Sequence, residues 1–556
     1  MNARSAWRSL LLVMTGLCLC LGMTPTSAQP LPPKIAWSPC NRDLGFPFEC
    51  GTVQVPLDYD NQGIAAVSIA LVRLPATDPA RRIGSLFFNP GGPGGSGVDF
   101  ILSVGPFLYS DEVRARFDIV GFDPRGIARS TAVRCFGTSR QWGPAIAPFP
   151  FPVTPEEETI WQGADLFLDA ACDQRGTRLI DHMATADVAR DLDRLREAVG
   201  DEQLSFVGYS YGSYMGVTYA NLFPNNFRAL VVDGVLNPVE WATGVPGEES
   251  LPFSTRLRSD IGALATLNEF FRLCDAGGPN CAFSPNSATR FAALAAKLRA
   301  APLVITTPEG ITFTFTYADL IANALGAMYS SFSWPSFAQF LAVIEAADPP
   351  AVLGARLFDF WQDVGFITKR GTPEYMNFLE GFPGVACSDS NNPNTYTAWS
   401  TAAADSEARN GYFGRIWTWI SSICAEWPGS DGDRYIGPFN TNTANPVLVT
   451  NKLFDPATRY EGALFVARLL PNARLLTVSG WGHTTLFSSH LADQAVALYL
   501  LEGTLPDVGT VYNQDFVPFA GSTTAVAASA NAQMQARVTP TMVPNVVRNS
   551  VHVKQN

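Results

Sequence analysis

Charged residues are scarce in this chain, and basic residues are scarcer than acidic ones. Only 16% of the 556 residues are charged, with 38 Lys and Arg against 50 Asp and Glu, a formal net charge of -12. The adjacent basic pairs are Arg81-Arg82 and Lys369-Arg370, and no longer basic run occurs. Because nucleic-acid-binding domains usually carry clustered Lys and Arg on one face, the sequence predicts no nucleic-acid partner. The apolar fraction of 47% is ordinary for a globular protein and excludes a wholly disordered chain.

Patterns that bind metals or nucleotide phosphates are also missing. The chain has only four His, with no paired CxxC motifs and no His cluster, so a zinc site is not expected. The Gly-Lys-Ser/Thr ending of a nucleotide-binding P-loop does not occur. We therefore expect neither a metal ion nor another cofactor.

The longest apolar run stands at the start of the chain. Arg4 and Arg8 precede an apolar run from Leu10 to Met23, and the small residues Thr26-Ser27-Ala28 follow. This order is typical of a secretory signal peptide, so we expect residues 1–28 to be removed. No later apolar run reaches the roughly 18 residues of a transmembrane helix. The sequence thus predicts an exported protein, secreted or periplasmic, with no membrane anchor, and leaves its oligomeric state open.

Eight of the ten cysteines lie beyond this leader. An even number of cysteines in an exported chain favours disulfides. The cysteines fall into four neighbouring pairs along the chain, and short loops close most easily. The spacing therefore predicts four bridges: Cys40–Cys50, Cys135–Cys172, Cys274–Cys281 and Cys387–Cys424.

Strand-like runs alternate with helical patterns on both sides of a long helical segment. Alternation of this kind predicts an α/β fold, a mostly parallel central sheet with helices on both faces. We assign the first part of this α/β core to residues 29–238 and the second part to residues 445–520. Residues 239–444 are predicted to form an inserted, mainly helical lid, and residues 521–556 a weakly ordered tail.

The clearest chemical motif is Gly208-Tyr209-Ser210-Tyr211-Gly212. It follows a predicted strand, Leu204–Val207, and precedes a predicted helix. In that context G-x-S-x-G forms a sharp turn that exposes a nucleophilic serine, here Ser210, above the end of a strand. The helix that follows favours the negative charge that develops during attack on a carbonyl group.

A serine nucleophile needs a histidine base and an acid that orients it. In folds with this motif the chain order is Ser, then Asp or Glu, then His. His483 follows the last predicted strand, Arg474–Val478, and therefore fits the base. Asp455 follows the strand Val447–Thr450 and fits the orienting acid, although an Asp before Pro456 could also be a plain helix cap.

Two backbone N–H groups should stabilise the oxyanion of the tetrahedral intermediate. One is expected on Tyr211, the residue after the nucleophile, and the other in the loop after an earlier strand. That loop is the glycine-rich segment Asn89-Pro90-Gly91-Gly92-Pro93-Gly94. We assign the second donor to Gly92, with Gly91 as the alternative.

Five motifs together carry a family resemblance. They are Asn89-Pro90-Gly91-Gly92-Pro93-Gly94, Asp123-Pro124-Arg125-Gly126, Gly208-Tyr209-Ser210-Tyr211-Gly212, Asp455-Pro456-Ala457-Thr458 and Gly482-His483-Thr484. With them the chain resembles the exported tripeptidyl aminopeptidase and proline iminopeptidase-like branch of the α/β-hydrolases. The resemblance implies the α/β-hydrolase fold, a TAP-like C-terminal region in residues 445–520, and a bridge between the lid cysteines Cys387 and Cys424.

The resemblance also implies an activity, the release of short peptides or single residues from a free N-terminus. An enzyme of this kind needs a carboxylate for the substrate ammonium group, and the lid acids Asp389 and Glu426 are the candidates. The alternative is that each is an ordinary surface acid or makes a local structural hydrogen bond. Tyr209 and Tyr211, on either side of Ser210, are candidates for lining the acyl pocket. A carboxylesterase or lactonase using the same three catalytic groups is the alternative, and a non-catalytic binding protein of the same fold is a more remote one. The expected partner is accordingly a small peptide or ester substrate.

Overall fold

The computed structural model describes residues 34–306, 312–346 and 377–521. The expected leader, residues 1–28, and nearly all of the expected tail lie outside the described residues. Within the described part of the chain, no helix combines the length and the apolar character needed to cross a bilayer.

A ten-stranded sheet organises the fold. Its strands are β1 (Ser38–Pro39), β2 (Glu49–Pro56), β3 (Ala66–Leu74), β4 (Gly84–Asn89), β5 (Phe117–Phe122), β6 (Leu204–Tyr209), β7 (Phe227–Asp233), β10 (Val447–Phe454), β11 (Ala473–Trp481) and β12 (Val511–Asn513). They lie in the spatial order β1-β2-β3-β5-β4-β6-β7-β10-β11-β12. The pairs from β1 through β3 to β5 are antiparallel. The pairs from β5 to β12 along this order are parallel.

Helices connect and cover these strands. The α/β part contains α1 (Gly97–Val104), α2 (Asp111–Arg116), α3 (Pro155–Arg175), α4 (Thr185–Val199), α5 (Tyr211–Leu222), α15 (Tyr460–Leu469) and α16 (His490–Glu502). The helix α4 shows why such segments fold as they do. Its apolar residues Val188, Leu192 and Leu195 recur at helical spacing, and all three are fully buried.

The segment between residues 239 and 444, here called the cap, is mainly helical in its described part, as its sequence predicts. Its described helices are α6 (Pro238–Ala242), α7 (Phe253–Arg256), α8 (Ser259–Gly277), α9 (Ser287–Ala300), α10 (Tyr317–Met328), α11 (Trp334–Ala346), α12 (Phe378–Asp389), α13 (Tyr396–Asn410) and α14 (Gly414–Trp419). The first of them, α6, begins one residue before the cap. The cap also contains a two-stranded antiparallel ribbon of β8 (Leu303–Thr306) and β9 (Thr312–Phe315). The sequence analysis did not predict this ribbon, because each strand has only four residues.

The hydrophobic core has two parts, one on each face of the sheet, and successive side chains of β4 face opposite parts. Leu86 and Phe88 face a cluster that includes the cap residues Phe270 and Leu341, whereas Phe87 faces a cluster that includes Tyr211 and Leu192. Side chains on a strand alternate between the two faces in this way. The cap helices α8 and α11 therefore share a hydrophobic core with the sheet.

Four disulfides tie the loops and the cap. They join Cys40 to Cys50, Cys135 to Cys172, Cys274 to Cys281 and Cys387 to Cys424, the same pairs that the spacing predicts. Disulfides persist in oxidising compartments, so these four indicate a protein of a compartment outside the reducing cytoplasm.

A buried arginine joins the antiparallel edge of the fold to α4. Arg125 donates to Asp191 at 2.6 and 2.7 Å and to Asp187 at 3.0 Å. It also donates to the carbonyl groups of Pro56 and Leu57 at the end of β2, at 2.9 and 2.8 Å. The Arg125 and Asp187 side chains are fully buried, so neither charge can turn to water if the other is removed.

Replacing this arginine should destabilise the fold strongly. We expect Arg125→Met to lower the free energy of unfolding by about 3–5 kcal/mol, because it leaves the buried Asp191 without a cation and Asp187 with only the partly exposed Arg190. Arg81→Met is the matched control, since both of its ion pairs are solvent-exposed and should contribute no more than about 1 kcal/mol. Urea unfolding of both variants measures the difference, and equal effects would contradict this account.

Candidate active site

Ser210 occupies a strained turn between β6 and α5. Its backbone torsions are φ 57° and ψ -123°, a region that residues other than glycine rarely adopt and that the surrounding structure must enforce. Its N–H donates to the carbonyl group of Asp233 at 2.9 Å, and its own carbonyl accepts from the N–H of Ser213 at 2.8 Å. The hydroxyl of Ser213 donates to the same carbonyl at 2.5 Å. These bonds hold the turn that places Ser210 at the end of the central strand.

The turn is possible only because glycines flank it. A Cβ at Gly208 would lie 2.0 Å from the carbonyl oxygen of Gly212, and a Cβ at Gly212 would lie 2.7 Å from that of Asn89. The glycine-rich loop after β4 approaches just as closely, because a Cβ at Gly91 would lie 2.8 Å from the Cβ of Ser210. The structure thus brings the motif of residues 208–212 and the loop of residues 89–94 into direct contact.

A hydrogen bond within the loop bears on the two candidate oxyanion donors there. The N–H of Gly91 donates to Asn89 Oδ1 at 2.9 Å and is therefore occupied. Gly92 follows in a left-handed conformation, φ +116°. Tyr211 supplies the first N–H of α5, a position that has no intrahelical acceptor. Gly92 and Tyr211 therefore stay the predicted pair of oxyanion donors.

His483 and Asp455 form a buried pair at the ends of β11 and β10. His483 Nδ1 lies 2.9 Å from each carboxylate oxygen of Asp455. The same carboxylate accepts the backbone N–H groups of Ala457, Thr458 and Thr484 at 2.9, 2.8 and 3.0 Å. Burial alone would raise the pKa of Asp455, but the charge of His483 and these hydrogen bonds hold it below its ordinary value. Asp455 is thus held as a carboxylate, the form that accepts a proton from Nδ1.

The other ring nitrogen of His483 is available for chemistry. His483 Nε2 is buried and has no hydrogen-bond partner among the described residues. Because Asp455 holds Nδ1, that nitrogen carries the ring proton and Nε2 becomes the acceptor. An unpaired buried acceptor costs free energy unless a ligand or a reacting group uses it.

Residues that the sequence analysis missed hold the loop of His483. Tyr329, at the end of α10, accepts the N–H of His483 at 2.9 Å and packs its ring against the imidazole, with the centroids 5.1 Å apart. Asp233, at the end of β7, accepts the N–H and hydroxyl of Thr485 at 2.8 and 2.6 Å. Burial raises the pKa of Asp233 to about 6. No motif marks Tyr329 or Asp233, whereas Thr458, 3.3 Å from His483 Nδ1, does lie in a motif that the analysis singled out.

Three of the candidate substrate residues do not meet in one site. Asp389 is only 2% exposed, and Thr185 and Trp241 occupy its carboxylate oxygens, so the expectation that it binds a substrate ammonium does not fit its contacts. Glu426 is exposed, and its charge acts on Asp169 and Tyr396 of α3 and α13. The ring of Tyr209 packs on Phe88, 5.2 Å between centroids, within the sheet's core. Sequence position near a motif does not fix where a side chain points.

Across residues 34–306, 312–346 and 377–521, no group of three or more His, Cys, Asp and Glu is arranged to hold a metal ion.

The fold and the family comparisons define a serine hydrolase of the α/β-hydrolase class. A family model described as "alpha/beta hydrolase fold" matches residues 84–251, and one described as "TAP-like protein" matches residues 410–512. The chain is 32% identical over 505 residues to carboxylesterase B of Mycobacterium tuberculosis, covering 87% of this chain and 91% of that protein. It therefore belongs to this TAP-like family of α/β-hydrolases.

Two further relatives are named for other activities. The serine protease Hip1 of Mycobacterium tuberculosis is 29% identical over 529 residues, which cover 91% of this chain and 96% of that protein. The tripeptidyl aminopeptidase of Streptomyces lividans is 29% identical over 486 residues, which cover 84% of each chain. The family thus includes proteins named as peptidases and as an esterase.

Removing either proposed reacting side chain should abolish turnover. We expect Ser210→Ala and His483→Ala each to lower kcat/KM by roughly 10⁴-fold, with unchanged melting temperatures. His490→Ala is the matched control, because that imidazole is 66% exposed and pairs with Asp515, and it should keep normal activity. A folded Ser210→Ala protein with near-normal rates on a good substrate would refute the assignment.

Proposed function

We propose that the protein hydrolyses its substrates through an acyl-enzyme on Ser210. His483 Nε2 takes the hydroxyl proton as Ser210 Oγ attacks the substrate carbonyl carbon, and the N–H groups of Gly92 and Tyr211 bind the resulting oxyanion. The tetrahedral intermediate collapses, and His483 gives the proton to the leaving group. Water then attacks the carbonyl carbon of the acyl-enzyme while His483 takes its proton. His483 returns that proton to Ser210 Oγ as the acid product leaves.

The observation that carries this proposal is the state of His483. Asp455 holds Nδ1 at 2.9 Å, and Nε2 is buried without a partner in the described structure. Buried polar groups in proteins are usually hydrogen-bonded, so this free nitrogen is available to a group that reacts or binds there. The strained conformation of Ser210 supports the same reading, since backbone strain persists where function uses it.

We further propose that the substrates are peptides with a free N-terminus, from which the enzyme releases short peptides or single residues. The relatives named as a tripeptidyl aminopeptidase and a serine protease support this substrate class. The enclosure of the site supports it too, because Ser210 is 8% and His483 3% exposed. A site this closed admits the end of a peptide more readily than the middle of a folded chain.

Carboxylester hydrolysis is the second candidate, favoured by the relative named carboxylesterase B. Esters and amides react through the same acyl-enzyme, so the catalytic residues do not separate the two. The discriminating feature is the substrate's ammonium group. An aminopeptidase must provide a partner for that buried charge, whereas an esterase acting on uncharged esters need not.

We also propose export after removal of residues 1–28. The order of charged, apolar and small residues in that segment supports the proposal, and so do the four disulfides of the described chain.

Blocking the substrate's N-terminus separates the two candidates. For a peptidase of this kind, acetylating the N-terminus of a tripeptide anilide should lower kcat/KM by about 10²-fold, because the charge that the site pairs is lost. A p-nitrophenyl ester measured in parallel is the control for intact acyl transfer, and Ser210→Ala supplies the background rate. Equal rates on free and acetylated peptides would refute the aminopeptidase proposal and leave the esterase.

A further inference from the structure

Three buried side chains link the cap to the residue after the nucleophile. Asp389, the last residue of α12, accepts the N–H and the hydroxyl of Thr185, each at 2.7 Å. The hydroxyl of Thr185 in turn forms a short hydrogen bond with the hydroxyl of Tyr211. Thr185 is 1% exposed and Asp389 2%, so water does not compete for these bonds.

The carboxylate form of Asp389 sets the direction of the protons in this chain of bonds. An ionised carboxylate only accepts, so the hydroxyl of Thr185 then donates its single proton to Asp389 Oδ2. Thr185 Oγ1 must then accept from the hydroxyl of Tyr211. Trp241 Nε1 donates to the same carboxylate at 3.2 Å. Asp389 is thus the terminal acceptor for three protein donors.

The same cap helix reaches the glycine-rich loop at its other end. A Cβ at Gly94 would lie 3.1 Å from the backbone nitrogen of Phe382 and 3.2 Å from the carbonyl carbon of Gly381. Asn377, at the N-cap of α12, donates to the carbonyl group of Val133 at 2.9 Å and accepts from the N–H of Ala128 at 2.9 Å. The disulfide Cys387–Cys424 fixes the last turn of the helix to the rest of the cap. The helix α12 therefore contacts the loop that holds Gly92 and, through Thr185, the side chain of Tyr211.

We propose that Asp389 is a positioning residue that acts through Thr185 on Tyr211, so that the cap helix α12 sets the spacing of the two oxyanion donors. The proposal rests on the acyl-transfer function proposed above and deepens it. Tyr211 follows the strained Ser210 directly, and its ring lies among Tyr214 and Trp241. Fixing its hydroxyl at the far end restricts rotation of the first turn of α5. Donors of an oxyanion act only when they are held in place before the reaction.

A positioning role predicts a specific kinetic signature. Asp389→Asn replaces a carboxylate oxygen that accepts a hydrogen bond with an NH₂ group that can only donate. Tyr211→Phe removes the hydroxyl that bonds to Thr185, with little change in the shape of the side chain. We expect each variant to lower kcat about tenfold with KM within twofold, and to weaken binding of a peptide boronate that forms a tetrahedral adduct by a similar factor. The double variant should be no slower than either single variant, because both interrupt the same chain of bonds.

The control is Ser388→Ala, one residue before Asp389. Its buried hydroxyl donates to the carbonyl group of Gly384 within α12 at 2.7 Å, so its removal perturbs the same helix without touching Thr185. It should leave kcat, KM and boronate affinity unchanged. Thr185→Val provides a third interruption if Asp389→Asn fails to fold, and the melting temperature of every variant identifies such a failure.

Any of three results would overturn the proposal. One is a rise in KM for free-amine peptides with unchanged kcat in Asp389→Asn, which would make Asp389 a substrate anchor. Another is a set of additive losses in the double variant, and the third is a normal kcat in Tyr211→Phe. Labelling of wild-type Ser210 by a fluorophosphonate distinguishes failure of this proposal from failure of the acyl-enzyme proposal. If Ser210 is not labelled, the acyl-enzyme proposal is refuted. If Ser210 is labelled but Tyr211→Phe has a normal kcat, only the positioning role is refuted.

Discussion

The strained backbone of Ser210 is the constraint around which the site is built. A residue with a side chain is held at φ 57° and ψ -123°, and such a conformation persists only where its surroundings enforce it. The surroundings here are the carbonyl group of Asp233, the side chain of Ser213 and the close approach of Gly91. The parallel strands β6, β10 and β11 then bring the three side chains proposed to react to one edge of the sheet, because the carboxyl ends of parallel strands lie together.

The cap is part of this site rather than a cover placed over it. Tyr329 of the cap supports the ring of His483, and Asp389 of the cap accepts from Thr185 beside Tyr211. The cap helices also share a core with one face of the sheet. Because the cap contacts His483 directly and Tyr211 through Thr185, changes in its packing should affect the proposed reaction as well as substrate entry.

The sequence predicted the parts of the site that local chemistry dictates. The turn at Ser210 needs glycine at Gly208 and Gly212, and this need is visible as a motif. The order of strands made His483 and Asp455 the matching pair. The four disulfides followed the short spacings of the cysteines. Each of these features depends on residues close in sequence or on a fixed chain order.

The features that the sequence did not predict depend on contacts across long separations. Thr185 and Asp389 are 204 residues apart, and Thr185 and Tyr211 are 26 apart. The sequence places Asp389 in the predicted lid, but the direction of its side chain is set by how α12 packs. For the same reason Glu426 and Tyr209 were expected near the substrate, whereas in the structure the charge of Glu426 acts on Asp169 and Tyr209 lies in the sheet's core.

The most direct test of the central claim is covalent labelling with a fluorophosphonate followed by peptide mapping. The account predicts one equivalent of label per chain, attached to Ser210, absent in Ser210→Ala and much slower in His483→Ala, because His483 Nε2 must take the hydroxyl proton. Label on another residue, or unchanged labelling of Ser210 without His483, would contradict the proposed catalytic arrangement.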